Sequence, residues 1–145
     1  MAGYSGTPLP QKLGIQSGMT VGILGAPNYF NFDLGDLPDA VEVHRTERPA
    51  DIYLIFADRA AEAERGFQRA MTMLPPDGAI WVAWPKKASK VETDITEDTL
   101  RDLFLPTGMV DNKVCAIDET WSGLRFVVRR ENREDWPPGP ASVTG

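Results

Sequence analysis

The chain has 145 residues, one cysteine, and 15 Lys and Arg against 21 Asp and Glu, for a formal charge of −6. That length supports a single core burying roughly 68–70% of the unfolded chain's surface, so no disulfide or metal staple is called for. The negative field, with basic residues adjacent only in pairs, excludes nucleic acid as a partner; no apolar stretch approaches the roughly 20 residues that span a bilayer, which excludes the membrane.

The opening MAGYSGTPLPQKLG has no uninterrupted apolar run of signal-peptide length, and the lone Cys115 fits a reducing compartment, so a cytoplasmic protein is expected. TVGILGA (20–26), DIYLIFA (51–57) and AIWVAWP (79–85) are apolar on both parities, which predicts parallel strands covered on both faces. In the last of them Ile80, Val82 and Trp84 point one way and Ala79, Trp81 and Ala83 the other. VEVHR (41–45) alternates like an edge strand, with His44 on its polar parity. Only five residues separate it from Asp51, a reach of about 17 Å, so the strand is either short or paired differently.

Ala60, Ala63, Phe67, Ala70 and Leu74 recur at spacings of three and four, predicting a helix of about 59–74, capped by Asp58 and stopped by Pro75-Pro76-Asp77-Gly78. Strand, helix, strand at this spacing is a right-handed βαβ unit. After the polar stretch KKASKVETD a second helix is capped by Thr96, stapled by Ile95 and Leu100, and ends near Leu105 before Pro106. Two strands follow, near 113–118 and 124–130, joined by a tight turn that includes Ser122-Gly123. In the second, Leu124, Phe126 and Val128 alternate with Arg125, Val127 and Arg129, the pattern of an antiparallel edge. The fold class is therefore α/β, a reduced Rossmann-like, mostly parallel sheet ending in an antiparallel hairpin. Residues 1–130 form one domain and the proline- and glycine-rich 131–145 a disordered tail.

Strand, helix, strand ending in WP, helix and hairpin, with the turn MLPPDG before a strand, resembles the second half of class I S-adenosylmethionine-dependent methyltransferases. That resemblance implies methyltransferase-like topology, with a final hairpin inserting one antiparallel strand into the sheet. The longer motifs AGYSGTPLPQKLGI, WPKKASKVETDITED and VDNKVCAIDETWSGLRFV resemble the bacterial family known as Domain of Unknown Function 3052, over nearly all of residues 2–130. This second resemblance implies no activity.

A methyltransferase needs a glycine-rich turn after its first strand, and here the position reads GILGAPNYF, with Gly22 and Gly25 alone and Pro27 removing an N–H. Binding of S-adenosylmethionine is therefore not expected, and Gly25-Ala26-Pro27 reads as a plain turn. Lys86 and Lys87 follow a core strand directly, where open α/β sheets bind ligands; Ser89, Thr93 and the helix amides at Thr96 could complete an anion site. Lys113 is expected to begin a strand on this same side and, with Gly25 and Asn28, to converge there. Asp118, Glu119 and Trp121 stand at the hairpin turn; adjacent carboxylates on a strand face opposite ways, so pairing with Lys86, Lys87 or Lys113 fits them better than acid–base catalysis.

One histidine and one cysteine exclude zinc and histidine-relay chemistry, and neither a G-x-S-x-G elbow nor a P-loop occurs. No catalytic residue, metal or cofactor is called for. The expected function is a non-catalytic module that binds a small anionic ligand, a nucleotide or a partner protein, with a homo-oligomer allowed, in a regulatory or accessory role. The alternative is a minimal S-adenosylmethionine-dependent methyltransferase or another small enzyme.

Overall fold

Runs that are apolar on both parities need cover on both faces, and the three core runs lie side by side at the centre of one six-stranded sheet. The structure is a computed structural model and describes residues 7–30 and 36–137. Its strands are β1 (Thr20–Leu24), β2 (Glu42–His44), β3 (Ile52–Phe56), β4 (Ala79–Pro85), β5 (Met109–Ala116) and β6 (Trp121–Val128), in the order β2-β1-β3-β4-β6-β5. The first four are mutually parallel, β6 runs against β4, and β5 runs against β6. Every residue of β3 and β4 is buried.

Helices α2 (Ala60–Met71) and α3 (Glu97–Phe104) cover one face. There Phe67 stacks on Phe104 at 3.9 Å between ring centroids, and both meet Phe126 edge-on. The predicted stripe holds, since Ala63, Phe67, Ala70 and Leu74 are all buried. A short α1 (Leu9–Leu13) lies over the other face, tied down by the Trp81 indole, which donates to the Leu13 carbonyl at 3.0 Å. Thr96 caps α3 as expected, in a reciprocal pair with Thr99, and Ile95 and Leu100 are both buried.

Several expectations are corrected. The cap of α2 is not Asp58 but Arg59, whose side chain makes no capping bond; Asp94 reaches across from the later loop instead and accepts the Ala60 N–H at 2.7 Å. The hairpin turn is not Ser122-Gly123, which lie within β6, but residues 117–120, where one Asp118 carboxylate oxygen accepts the N–H groups of both Thr120 and Trp121 at 2.8 Å. The second hairpin strand is not an edge, because β6 inserts between β4 and β5. His44 is buried, not solvent-facing; Thr46 N–H donates to its Nδ1, and its Nε2 lies 3.2 Å from Pro49 O. Residues 131–137 of the expected tail pack on the domain: Asn132 donates to Gly108 O and the Trp136 indole to Leu74 O. The rest of that tail, 138–145, lies outside the described residues.

The short loop before Asp51 resolves into a strand of three residues, β2, pairing in parallel with β1 at the edge. The return passes from β2 to β3 on the other side of β1, and at Gly22 of β1 an ideal Cβ would stand 2.5 Å from the Tyr53 ring. Only a glycine leaves room for that ring, and the Tyr53 hydroxyl donates to Arg48 O, fastening the crossing segment to β3.

Candidate functional site at the switch point

Chain order fixes where this sheet can hold a ligand. From β1 the chain steps outward to β2, and from β3 it steps the other way to β4, so the direction of winding reverses between β1 and β3. The crevice outside the carboxyl ends of such a pair is where open α/β sheets bind. A cleft of about 350 Å³ opens there, lined by Leu24 and Gly25 from the end of β1, Ile55 and Phe56 from β3, Glu47 from the crossing segment, and Glu62, Arg65, Gly66 and Arg69 from α2.

Each part has a local cause. Gly25 sits at φ +73°, and an ideal Cβ on it would meet the Phe56 carbonyl oxygen at 2.5 Å, so the turn is shaped by chain packing. Glu47 is held at the rim by Arg69, whose guanidinium donates to one carboxylate oxygen. A carboxylate has about four acceptor positions, which leaves room for a ligand hydroxyl. Gly66 lets α2 approach β3, with its ideal Cβ position 3.1 Å from Ile55 Cγ2. The cleft thus combines an apolar wall, two carboxylates, Glu47 and Glu62, and two guanidinium donors. Glu47, Arg65 and Arg69 were missed in the sequence because nothing in their local pattern separates them from solvated charge; the distance from Gly25 to Glu47 was the available signal.

The residues singled out in the sequence separate into four places. Gly25 lies in the cleft. Lys86, Asp118, Glu119 and Trp121 meet at the corner between β4 and β6, where Lys86 N–H donates to Thr120 O at 2.7 Å. Trp121 donates to the Tyr29 hydroxyl at 3.2 Å and packs edge-on against Phe56, which brings the segment with exposed Asn28 to this corner. Lys87 and Ser89 begin the next loop, where Ser89 Oγ donates to Lys86 O; Thr93 Oγ donates to Asp58 O, so both hydroxyls brace the chain. Lys113 does not converge with them. It lies in the middle of β5, which runs in the same direction as β4, and its ammonium donates to Lys12 O beyond the α1 face. Hydrophobic pattern gives a strand's faces and not its direction, so this placement was misread.

Among the described residues no three His, Cys, Asp or Glu side chains gather as metal ligands, and no helix is long and apolar enough to cross a membrane.

Solved structures share this sheet. A SAM dependent methyltransferase from Aquifex aeolicus superposes with a TM-score of 0.56 at 16% identity, over 81% of this chain and 87% of its own. The fold is that of the methyltransferases. Magnesium protoporphyrin IX methyltransferase from Synechocystis gives 0.56 at 10% identity, over 78% of this chain and 71% of its own. TrmN from Thermus thermophilus gives 0.56 at 11% identity, over 83% of this chain, which spans 47% of that longer protein. No protein-family model and no curated sequence matches, so the likeness to Domain of Unknown Function 3052 rests on the motifs quoted above.

Proposed function

We propose that the chain is a binding module for a small nucleoside-type ligand carrying an anionic group, held in the switch-point cleft and serving a regulatory or accessory role. The coincidence of the winding reversal, the cleft and Glu47 carries this reading. In dinucleotide-binding sheets an acidic residue about 20 residues beyond the glycine turn accepts a ribose hydroxyl, and Glu47 follows Gly25 at that distance. Leu24, Ile55 and Phe56 offer an apolar wall for a base, and Arg65 and Arg69 offer guanidinium forks for a carboxylate or phosphate.

A second reading, S-adenosylmethionine as the ligand and methyl transfer as the activity, is favoured by the fold neighbours, of which the Synechocystis enzyme was solved with bound SAM. The same residues suit that molecule: Glu47 for its ribose, the apolar wall for its adenine, an arginine for its carboxylate. When bound it would supply an electrophilic methyl group. Pro27 and the packing of Gly25 against Phe56 argue for a looser grip than a glycine-rich loop gives.

Calorimetric titration with adenosine, ADP, ATP, S-adenosylmethionine and S-adenosylhomocysteine tests both. The first reading expects a nucleotide to bind and Glu47→Gln to weaken it about tenfold or more, the worth of a hydrogen bond to a charged group. Binding confined to the two sulfur compounds, with methyl transfer from labelled S-adenosylmethionine to a cell extract, selects the second. No binding in the millimolar range, or equal binding by Glu47→Gln, overturns the site.

A further inference from the structure

Glu47 reaches the cleft on a segment built around one side chain, the buried His44 at the end of β2. The ring has two nitrogens, and both are engaged. Thr46 N–H lies 3.3 Å from Nδ1, and a backbone N–H can only donate, so Nδ1 carries a lone pair. Pro49 O lies 3.2 Å from Nε2, and a carbonyl can only accept, so Nε2 carries the hydrogen. These partners fix both the neutral form of the ring and its tautomer, and they stand on either side of Glu47 in the chain.

A second proton would break this arrangement. Nδ1–H would face Thr46 N–H, donor against donor, at a residue only 8% exposed, where little water can come between them. Thr46 Oγ1 is a poor substitute acceptor. It lies 3.5 Å from Nδ1 and already accepts Arg48 Nε at 3.0 Å, and turning the ring hydrogen to it would still leave Thr46 N–H without its partner. Among the described residues, Glu42 of β2 and Arg48 share with the ring a cavity of about 250 Å³, the carboxylate favouring an imidazolium and the guanidinium opposing it. From β3, Tyr53 meets the ring edge-on at 6.1 Å between centroids, and Asp51 already accepts Thr20 N–H at 2.8 Å. β1 presents Gly22 opposite His44, and Arg45, next along the chain, is exposed.

We infer that neutral His44 is the positioning residue for Glu47, and that a second proton on the ring releases the Glu47 carboxylate from the rim of the cleft. The consequence for a ligand rests on the reading of the cleft given above, whereas the link from His44 to Glu47 rests on the hydrogen bonds alone. The Tyr53 hydroxyl bonds Arg48 O in either form of the ring, so the change is confined to Thr46 and Glu47 and does not spread into β3. An ordinary imidazole takes up its second proton between about pH 5 and 8, so a ligand is held at the upper end of that range and let go at the lower.

The chain has one histidine, so its imidazole signals in nuclear magnetic resonance belong to His44 alone. The test follows those ring nitrogens and the Thr46 and Glu47 amides of the full chain from about pH 8 to about pH 5, with shift titrations of adenosine, a probe uncharged throughout that range. Expected are an Nε2–H tautomer at the upper end, Thr46 and Glu47 amide shifts that follow the curve of the ring, and adenosine binding about tenfold weaker once the ring is charged. His44→Asn, whose amide oxygen stands near the Nδ1 position and takes no proton, should keep the Thr46 bond and lose the pH dependence. His44→Phe should bind adenosine as weakly at the upper end as the wild type does at the lower; if it fails to fold, the wild type and His44→Asn decide. An Nδ1–H tautomer, a ring that stays neutral down to about pH 5, amides that ignore its titration, or the same pH dependence in His44→Asn overturns the proposal. Amides that follow the ring while adenosine binds at no pH would support the link from His44 to Glu47 and overturn the reading of the cleft instead.

Discussion

Alanine at Gly25 tests whether the turn after β1 is dictated by packing of the chain. Two costs add there. A β-carbon in the left-handed region, at φ +73°, costs about 1–2 kcal/mol. The same carbon would lie 2.5 Å from the backbone carbonyl of Phe56, at the end of a fully buried strand that cannot swing aside as a flexible side chain would. Forcing an atom into such a place costs about 1–3 kcal/mol more, for a total of about 2–5 kcal/mol. Gly18 supplies the control: it has φ +81° and nothing within 4 Å of its Cβ position, so Gly18→Ala incurs only the first cost. With a urea dependence of about 2 kcal/mol per molar, Gly25→Ala should lower the unfolding midpoint by roughly 1–2.5 M and Gly18→Ala by roughly 0.5–1 M, at unchanged slope. Equal losses for the two variants would refute the reasoning, since they share the backbone angle and differ in the neighbour.

Removing the carboxylate that caps α2 from a distance, by Asp94→Ala, should cost about 1 kcal/mol and lower the thermal midpoint by about 3 °C, with Asp94→Asn recovering most of it. The Tyr53 hydroxyl has its pKa raised chiefly by burial, so it favours the folded state while neutral and loses that contribution as pH rises past its unfolded value near 10. Between about pH 9 and 11 the wild-type urea midpoint should therefore fall more steeply than that of Tyr53→Phe, and parallel curves would count against the assignment. Changing Lys86 and Lys87 together to Ala should alter stability by less than about 1 kcal/mol and leave nucleotide titrations unchanged; lost binding would move the site to the end of β4.

Much of the sheet was legible because burial on both faces leaves a continuous apolar run, and runs as short as DIYLIFA bounded by turn residues are too short for a buried helix. The helix over residues 60–71 and the Thr96 cap were legible for similar reasons, as a stripe and a hydroxyl at the right offset. What was not legible depended on partners distant in sequence. Asp94 caps a helix that begins 34 residues earlier, and Asp118 rather than Ser122-Gly123 makes the hairpin turn, a role its carboxylate fills by accepting two backbone N–H groups. Arg125 looked solvent-exposed by alternation, yet β6 is an inner strand and its second face is covered by α1, whose five residues are too few to show a period. Residues 131–145 read as disordered from their prolines and glycines, while within the described part, up to residue 137, Trp136 packs a half-buried ring on the core and donates one hydrogen bond to Leu74 O.

The candidate site was partly legible for a related reason. Gly25 could be placed at a strand end, but the residue that gives the cleft its chemistry sits in the connection from β2 to β3, which appeared too short to work. It works because β2 ends after three residues and the next seven reach β3 on the other side of β1, where Asp51 bonds to Thr20. Gly22 gives up its side chain to admit the Tyr53 ring, Tyr53 holds Arg48, and the buried His44 binds Thr46 and Pro49 on either side of Glu47. A longer connection would have room for a helix over this edge. The short one instead delivers a carboxylate directly to the reversal point, where Arg69 of α2 meets it. The same economy of chain that leaves no room for a helix between β2 and β3 is therefore what brings Glu47 to the cleft, and both readings of the function give that carboxylate a ligand ribose to receive.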